Sequence, residues 1–97
     1  MALAWGSNPT LTYVTIENNT GGGMYLLDSN PTLTHVTINE NEGGLGGGIY
    51  LKDSNPIITH VMITENTAVT GGGMFIFGSN PTLRNVTISN NTALQKG

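Results

Sequence analysis

Residues 29–53 read SNPTLTHVTINENEGGLGGGIYLKD, and residues 54–78 repeat the pattern as SNPIITHVMITENTAVTGGGMFIFG. A related copy precedes them at 7–28, and another begins at 79. Ser-Asn-Pro therefore recurs at spacings of 22, 25 and 25 residues, and the three-residue difference lies between an Asn and a Gly triplet. A repeat of this period predicts a solenoid in which each copy forms one coil.

Three short apolar segments, separated by turn-forming residues, make up each copy. In the first copy they are Thr-Leu-Thr at 10–12, Val-Thr-Ile at 14–16 and Met-Tyr-Leu at 24–26. Such segments are too short for hairpins, but each can pair with its counterpart one coil away, at about 4.8 Å. The sequence predicts an all-β, right-handed parallel β-helix with three short strands per coil and about 3.5 to 4 coils.

Length and composition fit one small domain. The 97 residues include no cysteine and carry a formal net charge of -3. We therefore expect no disulfide, no thiolate metal site, no nucleic-acid partner and no membrane insertion. The predicted single domain, 1–97, divides into a partial coil 1–6, coils 7–28, 29–53 and 54–78, and a partial coil 79–97.

Alternation along the segments predicts which side chains face the interior. Five columns of aliphatic residues are expected inside, with Thr15, Thr37 and Thr87 pointing outward between them. The interior columns are Leu11, Leu33, Ile58 and Leu83; Val14, Val36, Val61 and Val86; Ile16, Ile38, Ile63 and Ile88; Leu26, Leu51 and Ile76; and Met24, Ile49 and Met74, which Ala2 is expected to continue. A polar column of Asn19, Asn41, Asn66 and Asn91 is predicted to form a hydrogen-bonded ladder.

The repeat resembles a known bacterial motif. Ile-x-x-Asn, as at 16–19, followed by Gly-Gly-Met or Gly-Gly-Ile, as at 22–24 and 47–49, is similar to the FxxN and GGA[I/L/V] repeats of chlamydial polymorphic outer membrane proteins. Ile replaces Phe here and Gly replaces Ala. The resemblance implies a β-helix of a secreted or surface-anchored kind and an adhesin-like role. The chain alone indicates no compartment.

Both ends of the repeat are expected to be open. Residues 2–6 align with 24–28, which places the start of the chain on the third strand of a coil. No polar capping repeat is recognisable at either end, although solenoids normally need one. We expect a fragment of a longer solenoid that forms homo-oligomers, by end-to-end or side-by-side stacking.

Outward-facing aromatic residues are the other candidate interface. The alignment places Leu3, Tyr25, Tyr50 and Phe75 in one outward column, and Trp5 and Phe77 in a second beside Leu27 and Lys52. An exposed apolar stripe on a small protein favours an interaction surface. We expect protein–protein packing there, with glycan contact as a weaker alternative.

Candidate chemical sites are few. His35 and His60 share a column and suggest a metal pair, but no third ligand is evident. Asp28 and Asp53 share another column, whereas glycosidases need two carboxylates across a cleft. Arg84 falls on a different face. We therefore predict no catalytic residue, no metal and no cofactor.

Three functions remain open. A non-enzymatic structural or adhesin-like module that self-associates is the leading hypothesis. A carbohydrate-binding or carbohydrate-processing fragment of a larger β-helix protein is the alternative. An ice-binding surface is the third, because Thr10, Thr32 and Thr82, with Thr12, Thr34 and Thr59, form outward Thr-x-Thr pairs that Ile57 and Arg84 interrupt.

Overall fold

The computed structural model describes residues 1–96, which form a parallel β-helix of short strands. In chain order these are β1 (Ala2–Ala4), β2 (Thr10–Thr12), β3 (Thr15–Glu17), β4 (Met24–Leu27), β5 (Thr32–Thr34), β6 (Thr37–Asn39), β7 (Glu42–Leu45), β8 (Ile49–Lys52), β9 (Ile57–Thr59), β10 (Met62–Thr64), β11 (Thr67–Thr70), β12 (Met74–Phe77), β13 (Thr82–Arg84), β14 (Thr87–Ser89) and β15 (Thr92–Lys96). Within that range no helix has the length and apolar character needed to cross a membrane.

The strands stack into four parallel sheets that run along the helix. Sheet 1 contains β1, β4, β8 and β12; sheet 2 contains β2, β5, β9 and β13; sheet 3 contains β3, β6, β10 and β14; and sheet 4 contains β7, β11 and β15. Neighbouring strands come from successive coils and pair residue for residue, so that Leu33 lies between Leu11 and Ile58. The predicted parallel β-helix is confirmed.

The number of strands per coil changes along the chain. Three strands per coil describes the first full coil, but the three additional residues of later coils form a fourth strand, the first being β7. The shorter first coil instead crosses this corner directly: Asn19 O accepts from Glu42 N at 2.9 Å, and Gly22 N donates to Glu42 O at 2.8 Å. The segment between the Asn and the Gly triplet, in which the copies differ in length, is therefore a strand wherever it is long enough.

The alignment predicted for the first strand is wrong by one residue. Ala2 pairs with Tyr25, Leu3 with Leu26 and Ala4 with Leu27. Consequently Leu3 packs against the core, Ala2 points outward, and Met1 holds the position opposite Met24 that was predicted for Ala2. The slip arises because the first corner has one extra residue, Gly6, and a one-residue shift turns each strand side chain to the other face.

The interior is fully covered from the second coil to β11 of the third. Leu33, Ile58, Ile38, Ile63 and Leu51 are all 0% exposed. Each of these side chains packs between equivalents above and below, since parallel in-register strands place like residues next to one another. The core therefore consists of continuous aliphatic columns that are parallel to the helix axis.

Inside the corner that follows sheet 3, the Asn side chains form a ladder. The amide Nδ2 of Asn66 donates to Ile38 O and to Asn91 Oδ1, both at 3.0 Å, and its own Oδ1 accepts from the main-chain N and Nδ2 of Asn41, also at 3.0 Å. Asn41 and Asn66 are 1% and 0% exposed. Every polar atom of the buried Asn66 side chain is thereby satisfied, as burial in an apolar interior requires.

Ser-Asn-Pro builds a second corner with two further ladders, which the sequence did not predict. Ser54 Oγ accepts from Ser29 N at 3.0 Å and donates to Lys52 O at 2.9 Å. Outside it, Asn55 N donates to Asn30 Oδ1 at 2.6 Å, and Asn80 N donates to Asn55 Oδ1 at 2.6 Å. Side-chain hydrogen bonds, as well as backbone pairing, therefore hold successive coils in one register.

Tight packing explains the Gly triplets. A Cβ on Gly48 would lie 2.5 Å from Gly73 O and 2.6 Å from Ile63 Cγ2, so only glycine fits there. Gly46 and Gly71 instead need their φ of 70° and 68°, which lies in the left-handed region that favours glycine. The triplet thus combines a turn with a close approach between coils.

Candidate interaction surfaces

The outward aromatic column is a continuous stack of three rings. Tyr25 and Tyr50 have ring centroids 4.6 Å apart with planes inclined by 10°, and Tyr50 and Phe75 are 5.5 Å apart with planes inclined by 5°. Tyr50 is therefore covered on both faces. A sugar ring stacks on an exposed aromatic face, so this column presents mainly ring edges to a ligand.

Trp5 and Phe77 do not share a column. Phe77 pairs with Lys52, as predicted, and is 57% exposed. Trp5, which was predicted to lie in the same column, occupies the corner position of Asp28 instead, has a φ of 56° and is 77% exposed. With Leu3 turned inward by the same slip, the aromatic stripe on sheet 1 consists of Tyr25, Tyr50 and Phe75, with Phe77 beside its C-terminal end.

A shallow groove of about 270 Å³ lies beside the stripe. Gly21, Tyr25, Gly44, Leu45 and Tyr50 line it. The groove exists because the first coil lacks the fourth strand, which leaves Leu45 of β7 48% exposed. Its lining consists of two glycines, a leucine and two tyrosines, whose hydroxyls are its polar side-chain groups.

The C-terminal end of the helix exposes the interior columns. Ile76, Leu83 and Ile88 are 48%, 43% and 45% exposed, although their equivalents one coil below, Leu51, Ile58 and Ile63, are 0% exposed. These three side chains keep the inward orientation of their columns. The last coil therefore presents an apolar end face that has the same form as the surface on which each internal coil packs.

The N-terminal end is open in a complementary way. Leu3, Leu11 and Val14 are half-buried, and Ile16 is 7% exposed. Asn19, the first member of the inner Asn ladder, is exposed and donates from Nδ2 to Asn41 Oδ1 at 2.9 Å. Both end faces thus combine aliphatic side chains with a polar ladder that the next coil would continue.

The His column is a stack of corner residues. Tyr13 and His35 lie 4.8 Å apart, and His35 and His60 lie 5.0 Å apart, in each case with planes inclined by 4°. Parallel stacked imidazoles direct their in-plane lone pairs alongside one another, whereas a shared metal needs them to converge. Within residues 1–96 no three His, Asp or Glu side chains are grouped as metal ligands.

The two aligned aspartates also lie at a corner. Asp28 and Asp53 have φ values of 49° and 52°, in a conformation that Asp and Asn adopt more readily than most residues. Both are exposed and lie one coil apart on a convex edge. Arg84 is in sheet 2, on another face. This arrangement forms no cleft in which two carboxylates could flank a glycosidic bond.

The Thr array on sheet 2 is regular only in the first two coils. Thr10 pairs with Thr32, and Thr12 with Thr34, but the next coil has Ile57 in the first of these columns, 51% exposed. Arg84 pairs with Thr59 in the last coil. An ordered Thr surface therefore extends over two coils only.

Comparison with known proteins identifies the family. A family model described as the right handed beta helix region matches residues 3–96. No curated protein and no solved structure matches the chain. The match supports a β-helix repeat protein, and the finer resemblance to chlamydial outer membrane repeats stays a prediction. Since the match extends over nearly the whole chain, this protein belongs to the right-handed β-helix family.

Proposed function

We propose that this chain is a non-enzymatic structural module whose open coils associate with further copies of itself. The observation that carries the proposal is the contrast in exposure between Ile88 at 45% and Ile63 at 0%, in one column and in one register. Solenoid stability comes largely from contacts between neighbouring repeats. An end face that has the shape of an internal interface is therefore best covered by another coil.

Approximate free energies indicate that the end-to-end contact is of moderate strength and depends on protein concentration. Covering three half-exposed aliphatic side chains contributes roughly 3 kcal/mol. Association of two molecules costs at least about 4 kcal/mol in lost translational and rotational freedom. The apolar contact alone therefore falls short, and backbone hydrogen bonds between the end strands, at about 1 kcal/mol each, must contribute the remainder.

The aromatic stripe is the second candidate contact. Tyr25 is 42% exposed and Phe77 57% exposed, and exposed apolar patches on small proteins commonly pack against a partner. Side-by-side association would cover these rings. The resemblance of the Ile-x-x-Asn and Gly-Gly-Met segments to chlamydial repeats supports an adhesin-like role for such a module at a cell surface.

Glycan binding and ice binding have less support. A glycan site on the stripe would need an uncovered ring face, but Tyr50 is stacked on both faces, and Tyr25 and Phe75 are each stacked on one. An ice-binding surface would need a Thr array longer than two coils, and Ile57 ends it. Neither function accounts for the open end face.

Sedimentation equilibrium over a concentration series tests the proposal. We expect the weight-average mass of the wild-type chain to rise above 10.2 kDa with increasing concentration. The variant Tyr25→Ser, which shortens the stripe and leaves the end columns intact, should behave like wild type if the ends make the contact. A constant monomer mass up to millimolar concentration would refute self-association.

A further inference from the structure

The inner Asn ladder has a direction along the helix. From one Asn to the next, donation runs toward the C-terminal coil: Asn66 N and Nδ2 reach Asn91 Oδ1 at 2.9 and 3.0 Å, while the other Nδ2–H returns to the main-chain Ile38 O. Among residues 1–96, no donor reaches Asn19 Oδ1 at one end, and no acceptor lies on the main-chain N–H of Asn91 at the other. The N-terminal end of this ladder therefore offers an acceptor, and the C-terminal end offers a donor.

The outer Asn ladder runs in the opposite direction. Each main-chain N–H donates toward the N-terminal coil, as Asn80 N does to Asn55 Oδ1 at 2.6 Å and Asn30 N to Asn8 Oδ1 at 2.7 Å. Within the described residues, the main-chain N–H of Asn8 and the Oδ1 of Asn80 are left without a partner at the two ends. The donor of this ladder is thus at the N-terminal end, and its acceptor is at the C-terminal end.

A head-to-tail contact of two end faces matches both ladders at the positions that recur inside the chain. In a two-fold contact between two C-terminal faces, by contrast, the end strands of the different sheets could not all continue the parallel, in-register pairing seen between coils, and the ladders would not meet in that register. A C-terminal face on an N-terminal face instead pairs Asn91 N–H with Asn19 Oδ1, and Asn80 Oδ1 with Asn8 N–H. An unpaired polar group in a covered contact costs free energy, so the mismatched arrangements are disfavoured.

The apolar columns agree with the same arrangement. Leu83, Ile88 and Ile76 on the C-terminal face belong to the columns of Leu11, Ile16 and Leu3 on the N-terminal face. The coil-to-coil contact that already recurs inside the chain would therefore continue into the next molecule, with the strands still parallel.

We propose that copies of this chain stack head to tail, the last coil of one molecule on the first coil of the next. The inference rests on the proposed self-association and adds its polarity. A head-to-tail contact is heterologous and does not close, so the assembly grows with concentration as an open chain and does not stop at a two-fold dimer.

Two variants that each block one end test the polarity. Leu83→Glu places a charge in the C-terminal face, and Leu11→Glu places the same charge, in the same column, in the N-terminal face. Circular dichroism and thermal unfolding report whether each variant is folded. Where Leu11→Glu is unfolded, Asn19→Lys replaces it, because residue 19 is exposed and its Oδ1 is the acceptor of that face.

Head-to-tail stacking predicts that each variant alone loses association and has the monomer mass, while an equimolar mixture reaches twice that mass and no more. The free N-terminal face of Leu83→Glu then receives the free C-terminal face of the other variant. Dimers of Leu11→Glu alone, or of Leu83→Glu alone, would overturn the polarity and leave self-association standing. Wild-type assembly that neither variant alters would place the contact on the side and also overturn it. A wild-type chain that is always monomeric would refute the proposed function as well.

Discussion

The third and fourth coils carry nearly the same residues in the same register, yet only one of them has a buried core. Ile63 and Ile88 occupy one column, and so do Ile58 and Leu83, but exposure rises from 0% in the third coil to more than two fifths in the fourth. Their strands are equally regular. Burial in this fold is therefore supplied by the coil that follows, and a coil has no core of its own.

The largest expected effect lies in the polar interior of the third coil. Asn66→Ala removes the acceptor of Asn41 N and the donor to Ile38 O. It also removes one of the two hydrogen bonds of Asn41 Nδ2 and one of the two of Asn91 Oδ1. Since each buried polar group left unpaired costs about 1 to 3 kcal/mol, we expect a loss of about 4 kcal/mol in the free energy of unfolding, measured by urea denaturation.

Asn55→Ala is the matched control. Asn55 is an exposed rung of the outer ladder in the same coil, and water can replace its hydrogen bond to Asn80 N. We expect a loss below about 1 kcal/mol. Equal losses in the two variants would show that burial does not determine how much one rung of a ladder contributes to the free energy of unfolding.

Truncating one side chain of the same column in the third coil, and then in the fourth, tests the comparison between these coils directly. Ile63→Ala leaves a cavity in a closed core and should cost about 3 kcal/mol, whereas Ile88→Ala, already 45% exposed, should cost about 1 kcal/mol in the dilute monomer. Denaturation at low protein concentration separates the two. If Ile88→Ala were as costly as Ile63→Ala, the end face would already be covered in solution.

Glycine-to-alanine substitutions should differ in their cost to stability between coils, because the added Cβ would meet backbone in one coil and side chains in another. Gly48→Ala would bring a Cβ to 2.5 Å from the main-chain Gly73 O of the next coil, and we expect a loss of about 2 kcal/mol. Gly73→Ala meets only side chains, Ile88 Cγ2 at 2.7 Å and Asn91 Nδ2 at 3.0 Å, at the open end, so its loss should be about half as large.

Gly44→Ala controls for the general effect of replacing glycine in this segment, since a Cβ there would meet no atom within 4 Å. Its melting temperature should stay close to that of wild type. A Gly48→Ala variant as stable as Gly44→Ala would contradict the close approach between the second and third coils.

The smallest effect is expected at a corner. His60 has a φ of 53°, and the fourth coil places Asn85, a residue that tolerates this conformation better, at the same position with a φ of 54°. His60→Asn relieves backbone strain but loses the stack on His35, and these two effects nearly offset. We expect a change within about 0.5 kcal/mol; a loss above about 1.5 kcal/mol would mean that stacking dominates.

Alternation and period were sufficient to predict the solenoid and its interior columns. Ile16, Leu33 and Ile38 are flanked by polar residues that recur with the repeat, so their inward orientation follows from the sequence. The fourth strand of the later coils could not be predicted from alternation and period. Glu-Gly-Gly-Leu at 42–45 has weak strand propensity, and it pairs because β11 lies beside it, a contact that sequence-local reasoning does not include.

The first strand was misaligned for a related reason. Gly6 adds one residue to the first corner, but Ser-Asn-Pro at 7–9 still matches its later copies, so the repeat gives no sign of the shift before it. The left-handed corner conformation of Tyr13, His35 and His60 was also hidden, because these residues rarely adopt it and the stacked coils impose it. The columns predicted for Leu3 and Trp5 were wrong because of the one-residue shift at the first corner.

At the corner between sheets 3 and 1, the number of residues in a coil can change without shifting the register of the other sheets. Residues 19–22 pass it in the first coil without a strand, while β7, β11 and β15 occupy it in later coils, and sheets 1, 2 and 3 continue through all of them without a shift. The cross-section of the tube can therefore widen or narrow in one coil without a change in its neighbours. Such a corner is a natural grafting point, at which a foreign peptide would bulge sideways from the tube without disturbing the rungs above and below.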